Sequence, residues 1–182
     1  MNFRYGMAKD GQLRLKSRPE AFPAPYFVDT GTFPAKWTTI AGYEVYYRTG
    51  PWLFGSEYWW VHTSSPSEGN PLFKGGDWVA TYLITGETRV YDTAGGFFRE
   101  IVPKRPVFNG GPGAWELLLR YSQINLDSGP IQGGQFKRIT PGVNWYVTDS
   151  VRFEFEYGYG HLDRFNLSGN TQFFQARIQL QL

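Results

Sequence analysis

Val151-Arg152-Phe153-Glu154-Phe155-Glu156-Tyr157-Gly158-Tyr159-Gly160 is the stretch that decides the fold. Val151, Phe153, Phe155, Tyr157 and Tyr159 fall on one parity, and Arg152, Glu154, Glu156, Gly158 and Gly160 on the other. Successive side chains of a strand point to opposite faces, so this segment has one oily face and one wet face. The next segment repeats the pattern, with Phe174, Ala176, Ile178, Leu180 and Leu182 against Gln175, Arg177, Gln179 and Gln181. Upstream, Ile139, Pro141, Val143, Trp145 and Val147 alternate with Arg138, Thr140, Gly142, Asn144 and Tyr146. Pro141 has no N–H to give, so a bulge or break in the ladder is expected there. Trp115, Leu117, Leu119 and Tyr121 alternate with Glu116, Leu118, Arg120 and Ser122.

Three earlier stretches alternate less cleanly. They are Ala41 to Arg48, Trp52 to Val61, and Asp77 to Ile84. Asn2 to Ala8 and Gln12 to Arg18 fit either a hairpin turning at Asp10-Gly11 or one long bulged strand. The count is seven or eight strands, and no segment carries a capped 3.6-residue period, so essentially no helix is expected. Thr49-Gly50-Pro51 and Thr148-Asp149-Ser150 look like short turns. Thr63 to Phe73, Leu126 to Gly134 and His161 to Asn170 look like longer loops. Gly86 to Gly113 is long where a short turn is expected, with room for a small hairpin of Thr88 to Tyr91 and Phe97 to Val102.

Composition narrows the class. Aromatic residues make up 19% of the 182 residues, yet mean hydropathy is −0.40. No apolar run approaches the roughly 18 residues of a membrane helix. A transmembrane β-barrel reconciles the two values, because half of each strand faces lipid and half faces water. The expected fold is therefore all-β: an antiparallel up-and-down transmembrane barrel, of which residues 1–182 form a single domain. With no cysteine, disulfides and thiol chemistry are excluded. A net charge of +2 without a basic run gives no reason to expect nucleic acid. The opening Met1-Asn2-Phe3-Arg4-Tyr5-Gly6 has no n-region, h-region or cleavage site of an export signal. The chain is accordingly expected to be the C-terminal part of a longer exported protein. Its seven or eight strands should leave an open sheet, or close narrowly through non-native pairing.

A soluble carbohydrate-binding β-sandwich, with Trp59-Trp60 stacking on sugars, is the alternative. Strands of about ten residues and aromatics at the strand ends favour the barrel. No catalytic residue, metal site or cofactor is expected. His161 lies near Asp163 and Ser168, but no G-x-S-x-G motif accompanies them. The glycine runs Gly95-Gly96 and Gly110-Gly111-Pro112-Gly113 lack the strand and helix of a phosphate loop, so both are expected to be turns.

Several blocks resemble the phosphate-selective porin O/P family. They are Leu13 to Glu20, Phe27 to Gly31, Gly55 to Tyr58, Thr85 to Tyr91, Pro103 to Pro106, Gly113 to Ser122, Pro141 to Tyr146 and the closing strand. The blocks are in family order and span nearly the whole chain. The resemblance implies the C-terminal half of a large, commonly trimeric outer-membrane barrel that passes small anionic or neutral solutes. Leu182 departs from the aromatic residue on which such barrels usually end, and recognition by the assembly machinery is expected to be weaker for it.

Parity puts Arg120, Arg138, Arg152 and Arg177 on the lumen side, one from each of the last four strands, and Arg14, Lys16 and Arg18 on a common face. Such cations suit an anion path. Glu44, Glu57, Glu116, Glu154 and Glu156 face the same way, however, and mixed charges in a lumen more often pair and brace the wall. Arg120, Arg138, Arg152, Arg177, Glu116, Glu154 and Glu156 are the expected pore-lining residues.

Overall fold

The computed structural model describes residues 1–22 and 24–181. Fourteen strands run in the order β1 (Asn2–Met7), β2 (Gln12–Leu13), β3 (Lys16–Ser17), β4 (Val28–Asp29), β5 (Phe33–Pro34), β6 (Trp37–Thr49), β7 (Trp52–Ser64), β8 (Leu72–Leu83), β9 (Tyr91–Asp92), β10 (Phe97–Phe98), β11 (Ala114–Ser128), β12 (Ile131–Tyr146), β13 (Val151–Arg164) and β14 (Leu167–Leu180). Helix is limited, among the described residues, to three single 3₁₀ turns.

Eight strands form one antiparallel sheet in the order β1-β6-β7-β8-β11-β12-β13-β14. The order follows the chain, as an up-and-down meander requires. Its seven long strands run 12 to 16 residues, beyond the ten expected. The sheet is open: β1 and β14 are its two edges and do not pair with each other. Pro141 leaves a gap in the β12–β13 ladder and no bulge. Partners pass from Ile139↔Tyr159 to Gly142↔Glu156 and resume in the same register. Leu182, assigned above to the apolar face, lies outside the described residues.

The first segment corrects the expected hairpin. β1 pairs with β6, closing at Met7↔Trp37, and Gln12 to Arg18 is not a wall strand. Segment 8–36 instead folds back on itself as a strap, held by the short ladders β2–β5 and β3–β4. Of the three stretches expected to be longer loops, the one between β7 and β8 is a loop, and the other two are corrected. β11 and β12 leave only Gly129 and Pro130 between them, and β13 and β14 only Phe165 and Asn166. A backbone ladder satisfies its own N–H and C=O groups whatever the side-chain pattern, so these strands run to their tips. The small hairpin within 84–113 is present but shorter than expected, pairing Tyr91↔Phe98 and Asp92↔Phe97.

Burial is arranged inside out. On the parity of Phe155, the side chains are bare: Phe155 is 40% exposed, Phe174 72%, Ile178 63% and Leu180 70%. On the opposite parity Glu116 is 0% exposed, Arg138 1% and Glu154 8%. The strap covers this charged face at one end of the strands. There Val28, Phe33 and Ala35 pack with Phe73, Leu126, Ile131 and Phe136. At the other end the 84–113 connection does the same, with Ile101 against Leu83, Ala114 and Tyr146. A water-soluble sheet buries its oily face because apolar surface is expelled from water. The reverse arrangement fits a solvent that is oily outside and wet inside.

Candidate functional site

The covered face carries all seven residues expected to line a pore, and it holds most of them in contact with partners. Glu116 is the deepest. Its carboxylate accepts hydrogen bonds from Arg89 Nη2 at 2.6 and 2.8 Å, Asn144 Nδ2 at 2.9 Å and Tyr146 Oη at 2.7 Å. Glu154 stands between two cations, 2.7 Å from Arg152 Nε and 2.5 Å from Arg177 Nε. Arg152 also reaches Gln179 Oε1 at 2.6 Å and lies 3.7 Å from Glu100. Arg120 pairs with Glu20 of the strap at 2.9 Å. Arg138, wholly buried, donates to the Pro19 carbonyl and to Gln175 Oε1 at 3.0 Å. It lies across Gly158 of the strand beside it, where an added Cβ would meet its guanidinium. Glu156 forms no ion pair among the described residues; with Arg120, Gln175 and Arg177 it lines a cleft of about 490 Å³.

Glu20, Arg89 and Glu100 complete these clusters, and strand parity could not find them because they lie in irregular connections. Glu20 and Arg89 did fall within the resembling sequence blocks, which was the one available signal. The strap has its own ion pair. Arg14 donates through Nε and Nη2 to the two carboxylate oxygens of Asp29, at 2.8 and 2.5 Å, and the Gly31 N–H adds a third bond at 3.0 Å. The Arg14 hydrogen bonds, with that backbone N–H, hold the Asp29 carboxyl at about 2, below its ordinary value. A carboxyl whose pKa is depressed by folding stabilises above its unfolded pKa, and the stabilisation is lost as pH falls through the folded one. The strap should therefore loosen between about pH 4 and pH 2, seen as faster amide exchange at Leu15 and Thr30. An Asp29→Asn variant should start loosened and lose that pH response.

Lys16 and Arg18 make no ion pair with a carboxylate among the described residues. They lie against the Tyr26 ring, at 4.1 and 4.6 Å from its centroid.

The bare face has its own order. Near one end, aromatic rings follow one another across β6, β7, β8 and β11. Centroid separations are 6.1 Å for Tyr43–Trp60, 4.8 Å for Trp60–Tyr58, 5.9 Å for Tyr58–Trp78 and 5.8 Å for Trp78–Tyr121. Near the other end stand Trp52–Tyr82 at 4.5 Å, Trp115–Trp145 at 5.3 Å and Trp145–Phe153 at 5.6 Å. Ala80, Leu117, Leu119, Pro141, Val143 and Phe155 lie between the two sets, in a shallow apolar groove. Trp115 and Tyr121 are six positions apart on β11, about 20 Å at strand rise. That is near the roughly 25 Å apolar band that aromatic girdles bound in membrane barrels.

His161 contacts Asn170 Oδ1 at 2.8 Å and Ser168 Oγ at 3.4 Å across the β13–β14 hairpin, and no hydrogen bond joins it to Asp163.

A family model, that of phosphate-selective porin O and P, matches residues 10–182. An uncharacterized protein of Caulobacter vibrioides is 29% identical over 150 residues, covering 82% of this chain and 30% of that protein. Porin O of Pseudomonas aeruginosa is 27% identical over 130 residues, covering 65% of this chain and 29% of that protein. The chain thus spans less than a third of the length of these curated relatives.

Proposed function

The chain belongs to the phosphate-selective porin O and P family, proteins of the bacterial outer membrane, and from that premise we propose that it forms the C-terminal wall of a passive diffusion channel for small hydrophilic solutes. The inversion of faces carries the reading: an aromatic-banded apolar surface lies bare while a charged one is covered. In a closed barrel the bare face would meet lipid, and the charged face, with the strap upon it, would meet water and solute. Strands from the rest of a longer polypeptide would pair with the open edges of β1 and β14. We place a trimer contact and lipid on the apolar side, and phosphate among the solutes. The carbohydrate-binding sandwich loses support because it needs a second sheet packed on the oily face. Among the described residues the small ladders β2–β5 and β3–β4 sit on the charged face.

The wall arginines serve here as braces. Arg120, Arg152 and Arg177 each meet a carboxylate, and Arg138 is buried beneath the strap, so their field at a passing ion is largely cancelled. Lys16 and Arg18 would supply the uncompensated positive potential that favours anions. Reversal potentials of the complete protein in planar bilayers under a potassium chloride gradient test this. Changing Arg120, Arg138, Arg152 and Arg177 to Gln should leave selectivity near that of the unmodified channel. Changing Lys16 and Arg18 to Gln should remove most of any anion preference. The opposite ranking would transfer selectivity to the wall, and a protein that never conducts, or stays monodisperse without detergent, would remove the pore.

A further inference from the structure

Glu20 holds an unusual place. It is a non-glycine residue at φ 58°, in the left-handed region that costs an L-residue steric strain. Its Oε2 lies 2.9 Å from Arg120 Nη2 and 4.0 Å from Arg138 Nη1. These two arginines are diagonal neighbours on one face, since Arg120 stands opposite Thr140 and Ser122 opposite Arg138. The buried Nε of each has no hydrogen-bond partner among the described residues. Two guanidinium groups flank one carboxylate oxygen, Arg120 by a hydrogen bond and Arg138 at ion-pair distance, and such a pair is the chemistry that recognises an oxyanion. The strap tip seals this pair, with Pro19 buried beside it and its carbonyl accepting from Arg138. The cleft lined by Arg120, Glu156, Gln175 and Arg177 opens directly beside Glu20.

We propose that Glu20 is a displaceable latch: its carboxylate fills a two-arginine oxyanion site made by Arg120 and Arg138, and an oxyanion entering the cleft takes its place and frees the strap tip. The proposal rests on the pore reading for its ligand, since the lumen is where such anions would arrive. Glu154 and Glu156 line the same cleft and repel any anion, so an entrant must gain more than simple charge attraction. Exchange therefore requires an ion that can bridge both guanidinium groups, which inorganic phosphate can do and chloride cannot. Departure of Glu20 would let its backbone leave the left-handed region, giving the strap a second arrangement with a different affinity for the anion, as a ligand-driven shift demands.

Hydrogen exchange of the complete protein in detergent tests the latch. The reporters are the strap amides of Phe27, bonded to the Ser17 carbonyl at 3.0 Å, and Thr30, bonded to the Leu15 carbonyl at 2.9 Å. Sodium phosphate should speed their exchange relative to sodium chloride of equal ionic strength, while the amides of β11 and β12 stay protected as the folding control. Glu20→Gln should speed the same amides roughly tenfold without phosphate, the shift expected from losing a charge-assisted hydrogen bond. Arg120→Gln should loosen the strap and abolish its response to phosphate. Equal exchange in phosphate and chloride, or a strap as protected in Glu20→Gln as before, overturns the latch. A channel that conducts without phosphate-dependent exchange refutes the latch alone. A protein that shows that exchange yet never conducts refutes the pore alone.

Discussion

Replacing Arg89 with Met is expected to destabilise the folded protein by about 3–5 kcal/mol, the range for breaking a buried ion pair from one side. The cause is what remains behind. The Glu116 side chain is wholly buried, and Arg89, 17% exposed, is its only cationic partner among the described residues. Asn144 and Tyr146 still donate to the carboxylate after the change, but they do not neutralise it. An uncompensated charge in a region of low dielectric is far more costly than a missing contact. Equilibrium urea unfolding in lipid vesicles measures the loss, and the double variant Arg89→Met, Glu116→Gln should recover most of it. A single-variant loss under about 1 kcal/mol would mean that Glu116 is better hydrated than its burial indicates.

The second large effect is on the other face. Phe155→Arg should cost about 2–4 kcal/mol if the residue lies near the bilayer midplane. Phe155 is 40% exposed and lies in the apolar groove between the two aromatic sets, so a guanidinium there would stand in a mainly apolar surround. Phe155→Leu, which keeps the site apolar, is the control and should cost much less. Refolding both into vesicles of increasing acyl-chain length adds a second readout. The arginine penalty should grow with thickness as its route to the headgroups lengthens. A penalty that is small and independent of thickness would take this face out of the lipid.

Sequence and structure agree most closely where two solvents compete. Between Ala114 and Leu180 every strand separates an oily face from a charged one, so parity alone assigns Phe155 and Glu154 to opposite sides. The signal fades at the hairpin tips. Around Ser168 both faces are polar, and around Asp127 the register shifts while Leu126 and Ile131 turn under the strap, so the oily-and-charged alternation disappears and continuous ladders resemble loops. It is absent from the strap and from 84–113, whose positions depend on long-range contacts such as Arg138 with Pro19 and Arg89 with Glu116. The charged residues of the covered face were therefore readable as isolated charges. Their partners Glu20, Arg89 and Glu100 were not, because pairing is a property of the folded surface and leaves no local period.

The closing pair Met7↔Trp37 has a consequence for how this architecture can vary. The strap leaves and re-enters the sheet at directly facing positions of neighbouring strands, so the ladder beneath it is complete without it. An insert tethered this way can lengthen or shorten at a small loop-closure cost, provided it still covers Phe73, Leu126 and Phe136 and still meets Arg138. The wall need not change register in response. Descendants of such a gene could acquire a different charge lining by rewriting residues of 8–36 while inheriting the sheet's register unaltered, and a designer could exchange that cassette on the same terms.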